Sequence, residues 1–219
     1  VDSEKLQTVF LNSWHERESQ NKIVYSNGAS RNDEIAQGLA LVEVYLKEPP
    51  PEGIVDVERQ MLFPLRNSRG EILETPMVAI VDLLTRDEVG LKITEIKTSG
   101  RSYGSMETDV SLQPTSYVNA VWESYGEDAR VEYVVLVKTK TPKVQRLETA
   151  RRLSDLGRLG DIVQAVERAI DARAFYPIET PLNCSCCAYR VSCQEWAAGK
   201  PDNVPCDIEM NEAMEVPVC

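Results

Sequence analysis

No cysteine appears before Cys184. All six fall in the last 36 residues, at Cys184, Cys186, Cys187, Cys193, Cys206 and Cys219. A secreted disulfide framework spreads its cysteines across the fold, so that class is disfavoured. Thiols clustered at ligand-like spacing favour a metal or cluster site instead. Histidine is almost missing: His15 is the single one. No apolar run approaches the length of a membrane span, and no signal peptide is visible. A cytoplasmic protein with no membrane partner is expected. Positive charge is short as well, with 24 Lys and Arg against 35 Asp and Glu and a net charge of −11. That balance argues against a non-specific nucleic-acid binder. The chain opens on Val1 rather than Met, which reads as a fragment or a processed form.

What is present is ordinary globular material. The 219 residues are 42% hydrophobic and 27% charged, enough for one domain with a sizeable core. The charge is unevenly placed. Lys138, Lys140, Lys143, Arg146, Arg151, Arg152 and Arg158 lie within 21 residues that hold only Glu148 and Asp155 as acids. From Pro201 to Cys219 there are five acids and neither Lys nor Arg. The basic stretch reads either as a solvated helix face or as a surface that contacts phosphate.

The chain is organised around Met77 to Gly100. Two apolar runs, Val78–Val81 and Leu91–Thr94, flank a turn-like Thr-Arg-Asp-Glu-Val-Gly, which predicts a β-hairpin. Asp82 ends the first run, and Glu95, Ile96 and Lys97 end the second. Residues i and i+2 of a strand point the same way, so Glu95 and Lys97 share a face and Ile96 turns to the other. Two carboxylates and a lysine suit magnesium-dependent phosphodiester chemistry. Mg2+ takes one or two carboxylates and keeps several waters, and it acidifies bound water while stabilising charge on phosphate. A surface Glu/Lys pair is the bland alternative, because Glu-x-Lys alone is common.

These residues resemble the PD-(D/E)XK nuclease superfamily, with Asp82 as the first acid and Glu95-x-Lys97 as the E-x-K. Val81 stands where the name has proline. The resemblance narrows downstream. Gln113-x3-Tyr117 is similar to the Q-x-x-x-Y motif of RecB-type nucleases. Cys184-x2-Cys187-x5-Cys193 is similar to the C-terminal cysteine triplet of the iron–sulfur members, among them the AddB nuclease domain and the CRISPR-associated RecB-like exonucleases. The resemblance implies an α+β, restriction-endonuclease-like core, a mixed central β-sheet flanked by helices, over residues 1–180. A cysteine-rich segment with an acidic tail would follow over 181–219. It implies a catalytic set of Asp82, Glu95, Lys97, Gln113 and Tyr117, with Mg2+ or Mn2+ held by Asp82, Glu95 and the Ile96 carbonyl. It also implies a [4Fe-4S] cluster on Cys184, Cys187 and Cys193. The fourth ligand is not identified: Cys186, Cys206, Cys219 and a residue outside this chain stay open, as does Zn2+ in place of iron.

The remaining elements follow from periodicity. Leu6, Val9, Phe10 and Trp14 repeat as on a helix. His15 follows in a Trp-His-Glu-Arg-Glu setting unlike the family's motif histidine. A second helix is expected from about Arg31 to Lys47, capped by Ser30 and stopped by Pro49-Pro50-Pro51. It carries no histidine, so Glu34, Gln37 or Glu43 is the candidate replacement. Ile54 to Leu65 alternates as a strand with Glu58 inside it, where the family often has a glutamate. Residues 108–125 are expected to be helical, placing Gln113 and Tyr117 one turn apart. Val131 to Lys138 reads as a buried strand, and Val144–Glu148 as another. A helix over 150–174 would present Leu153, Leu156, Leu159, Ile162, Val163, Val166 and Ile170 on one face. Helices, antiparallel strands, then helix, strand and helix give an α+β core.

Two function classes remain in view. One is a metal-dependent DNA exonuclease acting in recombination, repair, phage or CRISPR DNA processing, alongside partner proteins. The other is a nuclease-fold subunit that binds DNA or assembles without cutting. The motifs do not specify digestion polarity, strand preference, exo- or endonuclease action, or oligomeric state.

Overall fold

Strand periodicity in the middle of the chain and helical periodicity on both sides of it are realised in the computed structural model. It describes residues 2–21, 23, 25, 28–185, 187–190 and 193. Two compact units are present, Val1–Leu39 with Ala169–Cys219, and Ala40–Arg168.

In the first unit, α1 (Ser3–Gln20) is capped by Asp2, whose carboxylate accepts from the Glu4 amide. The second helix, α2 (Arg31–Tyr45), starts there under a reciprocal box, and its residues from Ala40 belong to the second unit. Ser30 Oγ accepts from the Asp33 amide at 3.3 Å, and Asp33 Oδ2 accepts from the Ser30 amide at 3.0 Å. Two orphan donors of the first turn are thereby satisfied. Glu18 takes two bonds from Arg31, at 2.6 and 2.8 Å. The Phe10 ring closes on Gly38, where a Cβ would lie 2.3 Å from it.

The second unit is built on five strands in the order β1 (Ile54–Phe63), β2 (Met77–Asp87), β3 (Gly90–Ser99), β4 (Ala129–Val137) and β5 (Lys143–Thr149). All neighbours are antiparallel except β3 and β4, which run parallel. A parallel pair needs a crossover. Here α3 (Ser105–Asp109) and α4 (Gln113–Tyr125) supply it. The result is the mixed, helix-flanked sheet of a restriction-endonuclease-like α+β fold, as the sequence implied.

The predicted hairpin is present but longer. Thr85, Arg86 and Asp87 stay in the ladder, paired with Lys92, Leu91 and Gly90. The turn therefore shrinks to Glu88-Val89. Asp87 Oδ1 accepts from the amides of Val89 and Gly90, and Gly90 sits at φ +128°, a conformation natural only to glycine.

On β3, Leu91 and Ile93 are buried on the same side as Glu95 and Lys97. They join Val81, Leu84, Tyr117, Val121 and Val131 in the main core, which α4 covers. Ile96 faces the opposite side, with Leu41 and Tyr45 of the last turn of α2 and with Val134 and Leu136. Strand β4 is buried from Val131 to Val137. The apolar stripe expected on the long helix is only partly covered. In α5 (Leu153–Asp171), Leu159 is buried and Leu156 and Val163 pack beside it. Leu153, Val166 and Ile170 stay exposed. The reason is local. Gly157 and Gly160 press the helix against Arg66–Ser68, which fixes its contact at Leu159 rather than along its length. Among the described residues no helix is long and apolar enough to cross a membrane.

Candidate active site

The β2–β3 ladder is paired as far as Leu83 and Thr94. One step further stand Asp82 and Glu95, on the same side as the Leu84–Ile93 pair. There the backbone ladder is replaced by a side chain: Asp82 Oδ2 accepts from the Ile96 amide at 2.8 Å. That bond fixes Asp82 beside Glu95 and holds open the point where the two strands part. Glu95 is 2% exposed. Its Oε1 accepts from Lys97 Nζ at 2.5 Å and from Gln113 Nε2 at 2.8 Å. Gln113 Nε2 also donates to the Tyr117 hydroxyl at 2.6 Å. The first turns of α4 thus reach Glu95 of β3. Pro114 in the first turn of α4 costs no intrahelical bond.

Glu95 Oε2 is buried and has no hydrogen-bond partner. Leaving a buried carboxylate oxygen unsatisfied is expensive, and it marks where a cation would be held. Burial pushes the Glu95 carboxyl above the usual carboxylate range; Lys97 opposes this and the Asp82 charge adds to it. Burial alone would lower the Lys97 ammonium, but the bond to Glu95 and the charges of Glu95 and Asp82 outweigh it and raise its pKa. Burial and the Glu95 charge likewise raise the Tyr117 phenol. At neutral pH Lys97 is therefore a cation and Tyr117 a neutral hydroxyl. Two carboxylates beside a backbone carbonyl, that of Ile96, suit a hard divalent ion that keeps its waters. Among the described residues no group of three or more His, Cys, Asp and Glu side chains gathers as metal ligands.

The supporting residues are not legible as motifs. Tyr133 pairs with Glu95 in the parallel β3–β4 register and bonds Ser111 through its hydroxyl. Arg151 donates to the carbonyls of Thr108, Ser111 and Ala150 and to the hydroxyls of Thr115 and Thr149. It ties the entry to α4, and hence Gln113, to the end of β5. The sequence offered Arg151 only as one member of a basic stretch. Arg146 of the same stretch is also used internally, at 2.9 Å from both Glu48 and Glu132. A phosphate-contacting surface on this stretch would therefore have two cations fewer, since Arg146 and Arg151 are engaged within the fold.

Glu58 lies opposite Asp82 between the Val57–Leu83 and Arg59–Val81 pairs. It is exposed, with φ +50°, a strained conformation for a non-glycine residue. His15 is exposed on α1, and Glu34 and Gln37 are half-buried on α2. Cys184, Cys187 and Cys193 carry free thiols, and they form no ligand group among the described residues. Cys186, Cys206 and Cys219 lie outside the described residues.

The model of the PD-(D/E)XK nuclease superfamily matches residues 1–194. Among solved structures, the crystal structure of a candidate exonuclease from Eubacterium rectale is similar at 11% sequence identity, with a TM-score of 0.45. The match covers 83% of this chain and 77% of that one. No curated protein matches the sequence.

Proposed function

Because the chain belongs to the PD-(D/E)XK nuclease superfamily, we propose that its Asp82–Glu95–Lys97 site hydrolyses DNA phosphodiesters with a bound Mg2+ or Mn2+. The observation that carries this is Glu95, buried with one oxygen accepting from both Lys97 and Gln113 and the other without a hydrogen-bond partner. Asp82, Glu95 and the Ile96 carbonyl are the residues that would hold the ion. When bound, the ion supplies an acidified water and positive charge at the phosphate. Lys97 stays protonated beside Glu95. It therefore holds the attacking water and stabilises charge on the phosphate oxygens, rather than accepting the water's proton. Gln113 keeps the Glu95 carboxylate aimed, and Tyr117 anchors Gln113 in turn.

The ordered set of Asp82, Glu95-x-Lys97, Gln113-x3-Tyr117 and the cysteine triplet supports the narrower RecB-type reading. With it come an exonuclease acting at DNA ends in recombination, repair, phage or CRISPR processing, partner proteins of those pathways, and a cytoplasmic setting. It also supports a nuclease domain over 1–180 followed by a cysteine-rich 181–219 segment carrying an iron–sulfur cluster, or zinc. Iron, sulfide and zinc content of anaerobically purified protein tests that segment; apo protein of full activity sinks it.

The test of the catalytic reading is cleavage of end-labelled single- and double-stranded DNA in Mg2+, Mn2+ and EDTA, with wild type beside Lys97→Ala. Metal-dependent cleavage lost in the variant is expected. Absent cleavage by the wild type would make the chain a DNA-binding relative of the nucleases, and metal-independent cleavage would overturn the role of the bound ion.

A further inference from the structure

A groove of about 580 Å3 opens where β2 leaves β3, and it continues directly from the catalytic residues. Gln113 and Tyr117 belong to both. Met77 to Ile80, just before Asp82 along β2, form one wall of the groove. Leu112 of the α4 entry and Ile162, Val163 and Val166 of α5 form the facing walls. Val78, Ile80, Leu112 and Val166 are each about 40–50% exposed. A soluble surface rarely leaves so contiguous an apolar channel open without a use. Its volume is that of a small-molecule pocket.

Among the described residues no Lys or Arg lines the groove, which does not suit a track for the phosphate backbone. The part of a nucleic acid that gains from aliphatic walls is the base, with its apolar faces. Gln113, Ser116, Thr75 and Glu167 offer polar atoms for a base edge. We propose that this groove receives the unstacked base of the nucleotide next to the scissile phosphate. A base inside a duplex has both faces stacked and its edge paired, and it must leave the stack to enter such a pocket. The site thereby selects single strands and frayed ends over intact duplex. This rests on the nuclease reading of Asp82, Glu95 and Lys97 and names its substrate class.

The experiment places 2-aminopurine on either side of the cleaved bond, in single-stranded DNA and in a blunt duplex, and follows its emission on binding the full chain in EDTA and in Ca2+. Cleavage in Mg2+ is measured in parallel, on normal DNA and on DNA with an abasic site at the same nucleotide. Ile80→Gln and Val166→Gln change exposed groove positions without adding charge that would repel phosphate.

A rise in emission at one flanking position is expected with single strands, and none with duplex. Both variants should lose that rise and raise KM for single strands roughly tenfold, the size of one lost base contact, with kcat little changed. The abasic substrate should show the same loss with wild-type protein and no further loss with the variants, so a poorly folding variant leaves the test intact. Equal binding and cleavage of abasic and normal DNA, or an equal rise with duplex, overturns the groove assignment while the nuclease reading stands. An emission rise from a protein that cuts nothing in any metal sinks the nuclease reading instead and leaves the groove.

Discussion

At Glu95 the chain buries a carboxylate with two donors on one oxygen and none on the other. Burial raises its pKa in the folded chain, so the folded state binds the proton more tightly than the unfolded state does. The sign follows from linkage: without metal, the contribution is present below the unfolded value, about 4.3. It is lost as pH rises through the higher folded value. Lys97 is also raised, but its loss comes only in the alkaline range of lysine and does not overlap. Glu95→Gln is therefore expected to remove the downward slope in melts recorded in EDTA. The variant's melting temperature should equal or exceed that of wild type above this window, while cleavage falls by about a hundredfold or more. A lower melting temperature than wild type at neutral pH would contradict this account. The acids, the lysine and the Gln/Tyr pair were legible in sequence because i, i+2 and i, i+4 spacing survives in any strand or helix. Arg151 was not: its five partners lie between Thr108 and Ala150. Nothing in a run of basic residues says which one turns inward.

Between elements, the contact that places α5 depends on absent side chains. A Cβ at Gly160 would lie 2.1 Å from the Arg66 carbonyl oxygen and 2.7 Å from the Asn67 Cα. These are backbone atoms, so the helix itself must shift. Gly160→Ala gains about 1 kcal/mol in helix propensity, yet overpacking of this kind costs about 1–3 kcal/mol. With backbone as the obstacle, the upper end is expected. A net loss of about 1–2 kcal/mol in urea unfolding is the outcome to check; a stabilised variant would show that the contact is looser than the distances state. The same contact explains the groove. It seats α5 at Leu159, packs Val163 beside it and leaves Val166 at the open groove. Periodicity predicted an apolar face on this helix but not which part of it would be covered. Coverage depends on where another element touches, and helical spacing carries no such information.

For the whole chain, a net charge of −11 opposes an anionic substrate. Lys97, together with the cation proposed for the site, would be the local counterweight. A cation that binds only the folded protein raises the melting temperature, by about 2.7 kcal/mol of stability at a hundredfold excess over Kd. Mg2+ or Mn2+ should therefore stabilise wild type in thermal-shift titrations. The gain should shrink as pH falls through the carboxylate range, because protonated Glu95 no longer holds the ion. It should also be absent in Asp82→Asn. An undiminished gain in that variant would move the cation elsewhere. By itself the sequence determined the order of the five strands and the main helices, the α+β class, the acids and lysine on two successive strands, and the shared helix face of Gln113 and Tyr117. All of these rest on short-range periodicity, which the backbone obeys wherever the element lies. Only the tertiary structure decided that β3 and β4 run parallel and bring Tyr133 beside Glu95, and that Arg146 and Arg151 are spent inside the fold. It also decided that β2 parts from β3 at Asp82 to open an apolar groove. Those outcomes depend on register and on contacts between residues far apart in sequence, and local spacing records neither.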